Sequence, residues 1–230
     1  MDMQGRTVMI TGAAGSLGRA VAEAFYATGA TLALVDLQME ALQKTYPGKN
    51  PRRILLAANL TDAASAAQVV KQAGKVDALC NIAGGFTMGT PVHATPAADW
   101  QKMWDINAVT MLNMVQAVVP GMLAAGGGRI VNIGAGAGQK GAALMGAYSV
   151  SKSAVIRMTE AMSAELREQG INVNCVLPSI IDTPPNRAAM PDADPKKWVA
   201  PADLASVILF LCSDSARAVH GAALPVVGLS

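Results

Sequence analysis

Tyr148 and Lys152 stand four residues apart in the run "YSVSK", a spacing that puts both side chains on one face of a helix. A phenol is too weak an acid to donate its proton readily near neutral pH. A neighbouring ammonium stabilises the phenolate and lowers its pKa toward the working range. The pair reads as a proton donor and its activator, although the same spacing on an isolated helix is an ordinary surface pair. The pattern "AYSVSKSAVIRMTEAMSAELREQG" keeps helical spacing through Gly170, which supplies the helix that both groups need.

A second constellation lies near the N-terminus. "RTVMITGAAGSLGRAVAEAF" places Gly12, Gly15 and Gly18 between a strand pattern and a helix pattern. Glycines permit a tight turn and close approach of a pyrophosphate, while the helix start offers free amides and the positive end of its dipole. Three glycines alone are only a tight turn. Here a second strand pattern follows and ends in Asp36, eighteen residues past Gly18. A carboxylate at that place accepts both hydroxyls of an adenosine ribose and repels a 2′-phosphate, so the expected cofactor is NAD(H) and not NADP(H). A solvated Asp at a strand end is the plainer alternative.

The rest of the chain has to position these groups. Apolar runs that suit buried strands fall at Thr7–Thr11, Thr31–Asp36, Ile54–Asn59, Ala78–Ala83, Arg129–Ile133, Asn172–Leu177 and Leu224–Val227. Helical patterns alternate with them; Val21, Ala24, Phe25 and Thr28 share a face of the first, and Gly29 supplies its stop. This alternation predicts one α/β domain over residues 1–230, a doubly wound Rossmann-like fold whose seven-stranded parallel sheet has helices on both faces. Prolines break the stretch "SIIDTPPNRAAMPDADPKKWVAP" at 179–201, so a lid over about 182–200 is expected to overhang the carboxyl edge of the sheet.

Composition excludes several classes. The 230 residues are 52% hydrophobic with a formal charge of +2 and no basic run, which argues against a nucleic-acid partner. No apolar stretch reads as a membrane span, and the N-terminus does not read as a signal peptide. Cys80, Cys175 and Cys212 are odd in number, far apart and set among apolar neighbours. They read as buried free thiols of a reducing compartment, hence a cytoplasmic protein. His93 and His220 have no ligand partners at metal spacing, so no metal is expected. The stretches 103–123 and 154–162 are apolar on most sides. Packing on a sheet uses one face, so a homo-oligomer built on these helices is expected.

Taken together, "TGAAGSLG" at 11–18, Asp36, "ANL" at 58–60, "NIAGG" at 81–85, "IN" at 106–107, "YSVSK" at 148–152 and "LPSIIDT" at 177–183 resemble the short-chain dehydrogenase/reductase family along essentially the whole chain. The resemblance implies an oxidoreductase with strand order 3-2-1-4-5-6-7 and small-molecule substrates, assembled as a homodimer or homotetramer. It implies that Gly12, Ser16, Leu17 and Gly18 line the pyrophosphate turn, that Asn59 and Leu60 flank the adenine, and that Asn81, Ala83 and Gly84 lie under the cofactor. Pro178, Ile181 and Thr183 meet the nicotinamide end, and Asn107 holds a water that links Lys152 to solvent.

Two departures stand out. The middle glycine of the turn is displaced to Gly15, leaving Ser16 in its place. The family's catalytic serine, thirteen residues before the tyrosine, is Ala135, which has no hydroxyl. Losing one such donor typically costs about 10²–10³ in rate. Another donor substitutes (the Gly134 or Gly136 amide, or the Gln139 side chain), or the substrate needs less polarisation, or the chain binds cofactor without catalysis. The segment 177–198 and "AGGF" at 83–86 also resemble dihydropteridine reductases, which carry alanine at the serine position and reduce an activated quinonoid acceptor with NADH. Asn107 fits the broader family instead. Phe86, Gln139, Asn186 and Arg187, with Ala135, are the expected substrate contacts; Arg187 paired with Asp182 or Asp192, and Phe86 and Trp198 packed in the core, are the plainer alternatives. The function expected is NAD(H)-dependent hydride transfer to or from a small C=O or activated C=N compound. Quinonoid dihydropterin reduction and a non-catalytic NAD sensor or partner module are the alternatives.

Overall fold

The computed structural model describes all 230 residues. Its strands are β1 (Thr7–Thr11), β2 (Thr31–Asp36), β3 (Arg53–Ala57), β4 (Ala78–Asn81), β5 (Gly128–Ile133), β6 (Ile171–Pro178) and β7 (Ala223–Val226). They form one seven-stranded sheet in the order β3-β2-β1-β4-β5-β6-β7, and every pairing is parallel. The order reverses between β1 and β4, which opens a crevice beyond their carboxyl ends.

Strand chemistry explains the two cores. Side chains alternate across a sheet, so Val8 and Ile10 of β1 enter one apolar cluster and Met9 enters the other. The first cluster is closed by α1 (Ser16–Ala27), α2 (Met39–Thr45) and α8 (Pro201–Cys212), through Phe25, Leu42 and Ile208. The second is closed by α3 (Ala63–Ala73), α5 (Thr110–Ala124) and α6 (Gly146–Leu166), through Val69, Met114 and Ile156. The three thiols are buried and free, with the sulfurs of Cys80 and Cys212 4.0 Å apart.

Strand ends differ from the sequence pattern for local reasons. β4 stops at Asn81, two residues before its apolar run ends, because the Ile82 and Ala83 amides donate to the Thr11 hydroxyl instead of to a neighbouring strand. β3 stops at Ala57, and Asn59 caps the turn that follows by accepting from Thr61. Gly29 and Gly170, with φ of +90° and +76°, end α1 and the turn after α6 as left-handed glycines do.

The apolar stretch near residue 110 is one helical run, Ala97–Ala124. It comprises α4 (Ala97–Trp104), a π turn (Asp105–Val109) and α5. Its 28 residues are long and apolar enough to cross a membrane, which corrects the expectation that no stretch is. Half of its most apolar window is buried inside the protein, where Asn107 and Asn113 are also buried and hydrogen-bonded. That is the environment of a core helix.

The expected lid is partly ordered as α7 (Pro184–Ala189), with both early prolines in its first turn. Thr183 caps it, accepting from the Asn186 amide at 3.3 Å. A parallel bridge between Ile181 and Val199 closes the neck of the loop, through Asp182 N–H to the Val199 carbonyl (2.8 Å) and Val199 N–H to the Ile180 carbonyl (2.9 Å).

Candidate active site

The phosphate turn joins β1 to α1. Gly12 has φ +65°, and a Cβ there would meet the Ala83 amide nitrogen at 3.0 Å. At Gly18 a Cβ would fall 2.1 Å from the Gly12 carbonyl oxygen, so no other residue fits that closure. Gly15 is the N-cap of α1 and Ser16 and Leu17 begin its first turn, whose amides no side chain caps and which carries no acidic residue. An uncapped helix start with no acidic residue, beside a glycine turn, suits a pyrophosphate. Tyr46 steadies the turn by donating to the Ala13 carbonyl at 2.7 Å.

Asp36, at the carboxyl end of β2, turns toward the same place. Its Oδ2 accepts from the Ala14 amide at 2.9 Å and its Oδ1 from the Leu37 amide at 2.8 Å. A carboxylate oxygen has further lone pairs, so both remain able to accept from ribose hydroxyls. Asn59 is exposed at the end of β3. Leu60, expected beside the adenine, instead buries its side chain in the second core, and its carbonyl accepts from Asn113 at 2.9 Å. Only its backbone can face a ligand.

The second half of the crevice forms where β4, β5 and α6 meet. Asn81 Nδ2 donates to Asn132 Oδ1 of β5 at 2.9 Å, and Asn132 donates on to Thr159 of α6, while Asn81 Oδ1 is buried without a partner. The segment after it, Ala83–Gly84, lies beside the turn and against Asn107 and Lys152. A Cβ on Gly84 would meet Asn107 Oδ1 at 2.7 Å and Lys152 Nζ at 3.4 Å. Asn107 sits in the π turn, a distortion that often marks functional sites. Its carboxamide holds Gly85 by both backbone groups, accepting from N–H (3.0 Å) and donating to the carbonyl (3.1 Å).

Lys152 is 6% exposed and donates to the Ile133 carbonyl at 2.8 Å. Gly138 lets the turn after β5 press onto α6, since a Cβ there would sit 2.7 Å from the Lys152 carbonyl carbon. Burial pushes Lys152 down to about 8. Tyr148 is half-buried, and its surroundings push the phenol up to about 12. In this arrangement burial raises the phenol, where the neighbouring ammonium was expected to lower it, and Lys152 faces the Ile133 carbonyl.

Around the phenol, Phe86 is 56% exposed and meets the Tyr148 ring edge-on at 4.9 Å, so it belongs to the site and not to the core. Trp198 is buried. Ala135 is buried at the N-cap of a short turn just after β5. Of the donors weighed as replacements for its missing hydroxyl, the Gly134 amide is spent on the Val176 carbonyl at 2.9 Å. Gln139 is exposed, with no hydrogen bond from its side chain. In the lid, Arg187 pairs with Asp182 through two hydrogen bonds, and Asn186 donates to the Ile181 carbonyl at 2.8 Å. Both are engaged in ordering the lid. Pro178 ends β6, and Ile181 forms the neck bridge. Thr11 is the residue that sequence reasoning missed here; its hydroxyl ties the ends of β1 and β4 together, and its place immediately before Gly12 was the available signal.

The model of the short chain dehydrogenase family matches residues 6–194. The chain belongs to the short-chain dehydrogenase family. A sorbitol dehydrogenase from Cereibacter sphaeroides is 37% identical, over 79% of this chain and 73% of its own length. The solved structure of a 3-oxoacyl-[acyl-carrier protein] reductase from Brucella melitensis, with NAD bound, superposes with a TM-score of 0.88 at 29% identity, covering 98% of this chain and 90% of that one. A Beutenbergia cavernae protein assigned as an NAD(P)-dependent gluconate 5-dehydrogenase, with NADP at low occupancy, gives 0.88 at 28% identity, covering 99% of this chain and 97% of that one. These short-chain dehydrogenases include both NAD and NADP binders and are not pterin reductases. The dinucleotide class is a property of the family, and the choice of nucleotide varies within it.

Proposed function

We propose that this short-chain oxidoreductase uses NAD(H) to interconvert a small carbonyl or activated C=N compound with its reduced form, with Tyr148 as acid and base. The observation that carries the reading is the convergence of Lys152 and Asn107 on the Gly84–Gly85 backbone, with Tyr148 one turn before Lys152 and against Phe86, beside a glycine turn that admits no side chain at Gly18. Bound NADH would supply a hydride to the substrate carbon. The first turn of α1 would hold the pyrophosphate, and Asp36 would accept from the ribose hydroxyls. Tyr148 would hold the proton at its hydroxyl until the substrate heteroatom takes it. Lys152, with a pKa near working pH, is suited to pass a proton inward and to bond a ribose. Asn107 would keep Gly84 and Gly85 in place.

The missing hydroxyl at Ala135 supports an acceptor that needs little polarisation. Quinonoid dihydropterin is the second reading on that ground, and the aromatic Phe86 against Tyr148 suits a planar ring. The apolar groups exposed on α4, α5 and α6 (Trp104, Leu112 and Val150) support a homodimer or homotetramer, and the three buried thiols support a reducing, cytoplasmic setting.

The test is Tyr148→Phe, assayed by NADH oxidation on a panel of ketones, diketones and quinonoid dihydropterin. Turnover should fall by about 10²–10⁴ while NADH binding, followed by fluorescence, holds. Unchanged turnover removes the assignment of the acid. Activity on ketones alone removes the pterin reading. NADH binding with no turnover on any compound favours the sensor.

A further inference from the structure

We propose that Ser151 is a positioning residue of this site: its hydroxyl fixes which way the Asn107 carboxamide faces, and through it the Gly84–Gly85 segment. The inference rests on the reading that Tyr148, Lys152 and Asn107 form the reactive site. Ser151 is 1% exposed on α6. Its Oγ donates to the Tyr148 carbonyl at 2.8 Å, one turn back along the helix. A hydroxyl has one proton. With that proton committed, Ser151 Oγ can only accept, and it accepts from Asn107 Nδ2 at 3.1 Å.

The direction of this chain is therefore set from the helix outward. Ser151, together with the Gly85 carbonyl at 3.1 Å, takes the amino side of the carboxamide, so the oxygen side is left for Gly85 N–H at 3.0 Å and for the space shared by Gly84 and the Lys152 ammonium. A rotated carboxamide would oppose donor to donor at Gly85 and present an amino group toward a cation. Ser151 also ties the helix carrying Tyr148 and Lys152 to the π turn carrying Asn107, two elements that have no other side-chain hydrogen bond at this point.

The experiment compares Ser151→Ala, Ser151→Thr and Asn107→Ala singly, and Ser151→Ala combined with Asn107→Ala. Ser151→Ala should lower turnover on the best acceptor of the panel by about tenfold, the factor that roughly 1.4 kcal/mol of a lost buried hydrogen bond represents. In the cofactor-free protein it should speed hydrogen exchange of the Gly85 amide several-fold. Ser151→Thr, which keeps the back-bonding hydroxyl, should restore both. In the Asn107→Ala background, Ser151→Ala should change neither. Should Ser151→Ala fail to fold, Ser151→Cys, a far weaker acceptor, takes its place with the same expected direction. Wild-type turnover together with wild-type Gly85 exchange in the Ala or Cys variant overturns the proposal, as does an undiminished effect in the Asn107→Ala background. Tyr148→Phe measured alongside separates the two readings. Full turnover there removes the assignment of the site, whereas an inactive Tyr148→Phe beside a fully active Ser151→Ala removes only the role of Ser151.

Discussion

The ring of Phe86 meets the ring of Tyr148 edge-on, centroids 4.9 Å apart and planes at 83°. The ring of the proposed acid is thereby in contact with a side chain that is itself more than half exposed. Such contacts contribute about 0.5–1.5 kcal/mol beyond area burial. Burial is also what raises the phenol to about 12. Replacing Phe86 by Ala admits water to the ring, so the Tyr148 pKa should fall back toward its ordinary value. The pH–rate profile of Phe86→Ala should show its alkaline limb at lower pH than wild type, with the substrate KM raised several-fold. A profile that superposes on wild type would mean that Phe86 only fills space.

The buried ammonium should be visible in stability. Lys152 falls from 10.5 in the unfolded chain to about 8 in the folded protein. Below pH 8 both states bind its proton, and the folded state bears the full penalty of burying a cation. Above pH 8 the folded protein releases the proton while the unfolded chain keeps it, so stability rises with pH, at up to about 1.4 kcal/mol per unit. Cys175 and Cys80 are raised from 9.0, which opposes this trend above pH 9. The clean window is pH 8 to 9. Denaturant midpoints of the wild type should increase across it, and those of Lys152→Met should not. Lys152→Met should also be the more stable protein at pH 7, by about 2 kcal/mol, while losing activity. A less stable, pH-independent variant would count against a costly buried cation.

The positions of Tyr148 and Lys152 were legible because spacing and helix pattern are local properties, and so was a parallel sheet once seven apolar runs alternated with helices, while the strand order followed only from the family resemblance. What remained hidden depends on contacts far apart in sequence. The lysine's partner is a carbonyl on β5, nineteen residues away, and no pattern within α6 announces it. Leu60 was expected at the ligand because its neighbours match a motif, yet its own side chain faces the core. Asn81 carries part of the same lesson, since its Nδ2 is committed to Asn132 of β5 while its Oδ1 is left without a partner. Strand ends were misplaced where a side chain, the Thr11 hydroxyl, took amides that apolar character alone assigned to the sheet. The long helix 97–124 escaped notice as a possible span because Asp105 and Asn107 interrupt its apolar run in sequence but not its helical course.

Asp36 gives a prediction about nucleotide choice. Its carboxylate is held at the turn by the Ala14 amide, which fixes a negative charge beside the expected ribose. Asp36→Ala removes the group that would repel a 2′-phosphate and the acceptor for the ribose hydroxyls together. The ratio of kcat/KM for NADH to that for NADPH should fall by about 10–100-fold, one to two such interactions at about 1.4 kcal/mol each. The Ala14 amide loses its partner, and a loss of about 1 kcal/mol in stability should accompany the change. Parallel assays with both nucleotides decide it; an unaltered ratio would place the ribose elsewhere.

Ala135 offers the opposite experiment, a gain of function. It lies at the end of β5 in an extended conformation that serine adopts as readily (φ −163°, ψ 157°), and it is 6% exposed. Ala135→Ser therefore places a hydroxyl where the family carries its donor, without asking the backbone to move. A hydroxyl buried with no partner costs about 1–3 kcal/mol, so the free protein should melt earlier than wild type. A substrate carbonyl that accepts from the new hydroxyl would recover that loss in the transition state. Simple ketones should then be reduced faster, by up to about 10²-fold. An acceptor already activated for hydride should gain little, because it never depended on the donor. Measuring both classes on one variant separates the two explanations for the missing serine. Equal gains on both would mean that the substrate is an ordinary carbonyl handled poorly. No gain on either, with the melting point lowered, would mean that the hydroxyl does not face the reacting atom.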